Sequence, residues 1–116
     1  MEQITLDALH AKMGEFIKME EKLPFPEFLA YYNDLMAFLQ SSYQDLGQDE
    51  LVTLKGITGI VSMNAKARAL DKDENRKKFA KMGEKTGFWE DAISLRLKKE
   101  GMDKDALDEK VSALWD

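Results

Sequence analysis

The residues of this chain that are suited to acid–base or metal chemistry are few. The chain contains one histidine, His10, and no cysteine. Asp7 precedes His10 by three residues, so on a helix the two side chains lie on adjoining turns, a spacing that fits half of a metal site. Carboxylate-bridged di-iron bundles take a Glu-x-x-His pair from each of two helices, and one histidine cannot supply both. We interpret His10 as a surface or boundary residue and predict neither a metal nor a cofactor.

Glu20 is the carboxylate that the sequence places on the apolar side of a helix. Helical spacing aligns it with Met13, Phe16 and Leu23. A carboxylate held there would be partly desolvated, and its raised pKa would suit acid–base work. The more ordinary interpretation is that the last turn of the helix leaves the core and Glu20 reaches water. No serine or threonine has a histidine at a recognisable catalytic spacing, and we predict that the chain is not an enzyme.

The clearest charge pattern is a basic segment between residues 66 and 85. This segment carries eight bases against four acids, whereas the whole chain has a net charge of -5. On a helix, bases four residues apart form a row that can follow phosphates. The interleaved acids, and the lack of a Gly-rich phosphate loop, favour a solvated helix face instead. The candidate polyanion-binding residues are Lys66, Arg68, Lys72, Arg76, Lys77, Lys78, Lys81 and Lys85.

Aromatic residues concentrate in the stretch Phe25–Tyr43. It holds six aromatic residues, and the whole chain has six Phe, three Tyr and two Trp. Core packing is the usual interpretation of such a concentration. If they are exposed instead, Tyr31, Phe38 and Trp115 would suit a partner interface, where aromatic anchors carry much of the binding energy. These three are the candidate interface residues.

Helices are predicted to position all of these side chains. Wound at about 100° per residue, Phe25–Tyr43 has a broad apolar side, and we predict that it is the central helix. A first helix begins at Thr5 and ends near Leu23, because the residue before a proline is disfavoured in the α region. Gly47 is predicted to end the central helix in a left-handed conformation.

Three further helices are predicted after Gly47. The first spans about Asp49 to Leu70, and either a new helix begins near Asp71 or this one continues. Its internal glycines, Gly56 and Gly59, indicate close packing against a neighbour or a kink, and we favour packing. Gly83 and Gly87 predict a break or bend. Beyond it, one apolar face is formed by Phe88, Trp89, Ala92, Ile93 and Leu97. Gly101 ends that helix, and Asp103 caps the last one.

The predicted fold is therefore all-α, an irregular bundle of about five helices in a single domain over residues 1–116. No apolar run approaches the ~20 residues needed to cross a bilayer, so we predict no membrane and expect a cytoplasmic location. The expected function is that of a small non-catalytic protein–protein interaction or regulatory module, which binds a protein partner or itself as a homodimer. The alternative is a nucleic-acid-associated protein that uses residues 66–85.

Overall fold

The structure, a computed structural model, describes residues 4–19, 21–71 and 74–115. All of the regular structure in these residues is helical, which confirms the predicted all-α class and the number of helices. The α-helices, in chain order, are α1 (Leu6–Ile17), α2 (Phe25–Ser42), α3 (Gln48–Ala69), α4 (Arg76–Lys99) and α5 (Lys104–Ser112). The chain divides into two compact units, Met1–Gly47 and Gln48–Asp116. A single domain over residues 1–116 stays a prediction.

Several helix ends follow from capping residues as predicted. The Thr5 side chain accepts a hydrogen bond from the Ala8 N–H at 3.1 Å, which satisfies one of the unpaired donors at the start of α1. Asp103 does the same for Asp105 at the start of α5. Gly101 follows α4 with φ of 94°, a conformation that a side chain would strain.

Two predicted helix ends are wrong. The first helix ends at Ile17 rather than near Leu23. Ile17 and Met19 are both exposed, so a further helical turn would bury little apolar surface. Gly47 is not left-handed, because a 3-10 turn and then an extended, buried Leu46 end α2 before it. Of the two alternatives left open near Asp71, the structure shows a new helix: α3 ends at Ala69 and α4 begins at Arg76.

In the first unit, the aromatic stretch forms α2 and buries one side, as its periodicity predicts. The Tyr31 hydroxyl donates a hydrogen bond to the Leu9 carbonyl of α1 at 2.7 Å. The Phe16 ring packs edge-on against the Tyr31 ring, with centroids 5.3 Å apart. Burial, reinforced by the nearby charge of Asp34, raises the pKa of Tyr31, so this hydroxyl stays a donor. Tyr31 therefore ties α1 to α2.

We expect Tyr31→Phe to lower the free energy of unfolding by about 1–2 kcal/mol, because the buried Leu9 carbonyl loses its hydroxyl donor. Urea titration followed by circular dichroism measures this loss. Tyr32→Phe is the matched control, since Tyr32 is also a buried tyrosine of α2. Equal stabilities of the Tyr31→Phe variant and the native chain would contradict the role given to this bond.

In the second unit, α3 and α4 pack along each other and form most of the core. Phe79, Ile93 and Leu97 of α4 are fully buried, as are Leu54 and Ile57 of α3. The buried polar side chains of this pair are all hydrogen-bonded: Thr58 to Leu54 and Lys55 carbonyls, Ser62 to the Gly83 carbonyl, and Thr86 to the Met82 and Gly83 carbonyls. The Ser62 bond, at 3.1 Å, crosses directly between the helices.

Glycines bring the elements of this unit close together. In α3, a side chain on Gly56 would collide with Leu114, and one on Gly59 would collide with the Glu90 carboxylate. This confirms the predicted close packing, and α3 continues through both glycines. A break at Gly83 and Gly87 is wrong, because α4 also runs through them unbroken. Their missing side chains make room for Ser62 and Lys66 of α3.

Candidate interaction surface

Helix α4 carries apolar side chains on two opposite sides. One side packs against α3 through residues that include Phe79, Ile93 and Leu97. On the opposite side, Phe88 is 68% exposed and Leu95 is 54% exposed. These two are seven residues apart, which puts them about 20° apart around the helix and about 10.5 Å apart along its axis. With Ala92 between them they define the Phe88–Leu95 face.

Sequence reasoning missed this face. It grouped Phe88 with Ile93 and Leu97 on a single apolar side, and the structure shows that this is wrong for Phe88. Helical geometry contains the missing signal, since Phe88 lies about 140° around the helix from Ile93. The ring of Phe88 instead contacts that of the half-buried Trp89, with centroids 6.2 Å apart in a T-shaped arrangement. Phe88 is thus an outward-facing aromatic residue beside a second one.

A row of lysines leads along the same side of α4 into this face. Lys77, Lys81 and Lys85 are all exposed. They fall within an arc of about 80°, and Phe88 lies inside that arc one turn further on. Lys78 is exposed beside them, and Lys99 follows Leu95 at the far end of the helix. We call Lys77, Lys81 and Lys85 the lysine row.

The other candidate bases have different positions. Arg68 is half-buried, with its guanidinium 4.3 Å from the centre of the Phe79 ring, where it covers the core. Lys66 extends across α4, and its side chain lies against Gly83 and Gly87. Arg76 is exposed in the first turn of α4, and Lys72 lies outside the described residues. A polyanion site built from all eight bases stays a prediction.

The predicted aromatic anchors are not the exposed ones. Tyr31 is 5% exposed and Phe38 is 6% exposed, so the exposure that an interface role requires of them is missing. Both are held on the buried side of α2. Trp115 is half-buried, and a side chain added at Gly56 would meet its ring at 3.4 Å. Within residues 4–19, 21–71 and 74–115, the exposed aromatic residue is Phe88.

Acidic side chains border the Phe88–Leu95 face on the side away from Lys85. Measured around the helix from Phe88, Lys85 lies about 60° to one side, and Glu84 and Asp91 lie about 40° and 60° to the other. Both acids are exposed and border an open groove of about 700 Å³ between α3 and α4. Leu70, 89% exposed at the end of α3, lines the same groove together with Phe88. The edge that carries Lys85 is therefore basic, whereas the other edge carries Glu84 and Asp91 beside Phe88 and the exposed Lys98 further along the helix.

One of the two acid–base candidates lies within the described residues. His10 is half-buried on α1, and Glu20 lies outside the described residues. Within residues 4–19, 21–71 and 74–115, no three His, Cys, Asp or Glu side chains are grouped so that they could hold a metal ion. In the same ranges, no helix has the length and apolar character needed to span a bilayer.

The structure defines the class of this protein as all-α, with an exposed apolar strip on its longest helix. In comparisons with protein-family models, curated proteins and solved structures, no match to this chain was found. The geometry of α4 is therefore the basis for a functional proposal.

Proposed function

We propose that this protein is a non-catalytic protein–protein interaction module and that the Phe88–Leu95 face is its docking surface. The observation that carries the proposal is the pair of exposed large apolar side chains opposite the buried side of α4. A surface helix needs only one apolar side to pack onto its own core. With 68% and 54% of their surfaces exposed, Phe88 and Leu95 contribute little to the core formed by the described residues, and a partner that covers them explains their presence. A cytoplasmic location is part of the same proposal.

The geometry of the face suits a helical partner. Anchors one heptad apart on the same side of a helix are the pattern by which an amphipathic helix docks along another helix or a groove. The open groove beside Phe88 gives such a partner a depression next to the first anchor. Covering a leucine or phenylalanine side chain contributes about 1.5–3 kcal/mol when burial is complete. The two anchors together contribute at most about 3–6 kcal/mol, so further contacts along the partner helix must supply the rest of the affinity.

A selection from a library of random helical peptides tests the proposal. The native chain is the target, and a chain carrying Phe88→Ala and Leu95→Ala is the comparison. We expect the selected peptides to bind the doubly substituted chain at least about tenfold more weakly, because both anchors are lost. Alanine preserves helix propensity, so α4 itself is kept.

The control substitutes two exposed apolar residues outside α4, Ile17→Ala and Met63→Ala, which should leave peptide affinity unchanged. Peptides that bind the native chain and the Phe88→Ala/Leu95→Ala chain equally well would place the docking surface elsewhere. That result, or a selection that yields no binding peptide, would overturn the proposal.

A further inference from the structure

We infer that the partner of the Phe88–Leu95 face is an amphipathic helix with acidic residues along one edge. The inference rests on the proposed function and specifies the chemistry of the partner. Its basis is charge: Lys81 and Lys99 lie within about 20° of Phe88 around α4, so they bracket the two apolar anchors at both ends. Lys85 adds a third cation on one edge. All three are exposed.

These lysines favour a partner helix that carries negative charge beside them. A partner helix that lies along α4 covers the two anchors and passes beside Lys81 and Lys85. Glutamate or aspartate on that edge of the partner gains from the pairing, whereas lysine or arginine is rejected by like charge. On the opposite edge, Glu84 and Asp91 repel acids. The acidic residues of the partner are therefore favoured on the edge beside Lys81 and Lys85.

The same two acids argue against phosphate-rich ligands. A nucleic acid or an anionic membrane that engaged the lysine row would also meet Glu84 and Asp91 beside Phe88. A membrane that buried Phe88 and Leu95 would have to cover these carboxylates as well, because amphipathic helices need a continuous apolar side to enter a bilayer. A protein helix can match both edges, since its side chains differ from one edge to the other.

An antiparallel second copy of this chain is a poor occupant of the face. In an antiparallel pairing about a two-fold axis, each edge of α4 meets the same edge of the other copy, so Lys85 comes close to Lys99 of that copy. In a parallel pairing, opposite edges meet, so Lys85 faces the edge that carries Glu84 and Asp91 of the other copy. The antiparallel arrangement therefore brings like charges together, whereas a parallel dimer that is lost on Phe88→Ala/Leu95→Ala, measured by sedimentation of the free chain, would replace the partner helix by a second copy. A homodimer stays a prediction of the sequence.

Two matched synthetic peptides test the inference. Both are alanine-based helices with leucine at the a and d positions of each heptad. Along one edge of the leucine strip, the first peptide carries glutamate and the second carries lysine. We expect fluorescence anisotropy to show the glutamate peptide binding at least about tenfold more tightly than the lysine peptide. Added salt should reduce this difference, because the charges are exposed.

Charge reversal in the protein identifies the residues responsible. Lys81→Glu with Lys85→Glu should reduce the affinity for the glutamate peptide at least about tenfold and raise that for the lysine peptide. The control makes the same change of charge on α5, at the exposed Lys104 and Lys110, and should leave the preference intact. An unchanged preference in the Lys81→Glu/Lys85→Glu chain would overturn the inference.

Other outcomes separate the inference from the proposed function. If both peptides bind equally and both require Phe88 and Leu95, the acidic partner is wrong and the docking surface stands. If the glutamate peptide binds without needing those anchors, the docking surface is wrong as well. Failure of both peptides to bind overturns the inference. Tighter binding of a short DNA duplex or of anionic phosphatidylserine vesicles, lost on Lys81→Glu/Lys85→Glu, replaces the protein partner by that ligand.

Discussion

Phe79→Ala is expected to lower the free energy of unfolding by about 3–5 kcal/mol, the range for emptying a well-packed phenylalanine site. Phe79 is fully buried between α3 and α4, and the Arg68 guanidinium lies 4.3 Å from its ring centre. Alanine leaves a cavity and also removes the surface on which Arg68 rests. Urea titration of the purified variant, followed by helical circular dichroism, measures the loss.

Phe88→Ala is the matched control for this variant. It removes the same side chain from the same helix, but Phe88 is 68% exposed. We expect its free energy of unfolding to stay within about 1 kcal/mol of the native value, since exposed substitutions have small effects. Equal losses in the Phe79→Ala and Phe88→Ala chains would contradict the assignment of opposite sides of α4 to core and surface.

Gly83→Leu is the second substitution with a large expected effect, a loss of about 3 kcal/mol or more, because the helix contact leaves no room for the side chain. The first carbon added at Gly83 would lie 2.8 Å from Cγ of Lys66 and 3.3 Å from the Lys66 backbone nitrogen. The lysine side chain can move, whereas the backbone can give way only if α3 and α4 separate. Separation would also stretch the bond from Ser62 to the Gly83 carbonyl.

A series of side chains makes this prediction specific. Gly83→Ala should cost less than Gly83→Leu, since alanine offsets part of the collision through its better helix propensity of about 1 kcal/mol. Ala80→Leu is the control, because Ala80 is exposed and one turn earlier on α4. Thermal and urea unfolding of the three variants give the order. A Gly83→Leu chain as stable as the Ala80→Leu chain would show that the helices are not in close contact here.

The sequence predicted the parts of this fold that depend on local chemistry. Thr5 and Asp103 cap helices because their short oxygen-bearing side chains reach the first free N–H groups. Gly101 ends α4 because it adopts a positive φ without strain. Pro26 sits in the first turn of α2, where its missing N–H costs nothing. Each of these depends on a few neighbouring residues.

The predictions that were wrong concern features that depend on packing between segments distant in the sequence. Glycine in a helix has the same local preference whether it interrupts the helix or admits a neighbour, so Gly83 and Gly87 suggested a break or bend. In the structure α4 continues through both, and they lie against Ser62 and Lys66, some twenty residues earlier. Gly47 failed similarly, because the buried side chain of Leu46 sets the course of the chain after α2.

The candidate surface was harder to predict than the fold. The sequence pattern grouped Phe88 and Ala92 with Ile93 and Leu97 on one apolar face, and it placed Leu95 on no face. An exposed phenylalanine can be recognised only once the direction of the buried side is fixed, and α3 fixes it. The lysine row, by contrast, was visible in the four-residue spacing of Lys77, Lys81 and Lys85. The row belongs to the candidate surface because the exposed Phe88 and Leu95 lie on the same side of α4.

Hydroxyl-radical labelling of the native chain, read out residue by residue by mass spectrometry, tests the central claim most directly. That claim is that α4 presents an uncovered apolar side to solvent opposite its buried one. With Phe88 68% and Leu95 54% exposed and both Phe79 and Leu97 at 0%, each residue of the first pair should be labelled far faster than its counterpart in the second. Equal protection of Phe88 and Phe79 in the native chain would contradict it.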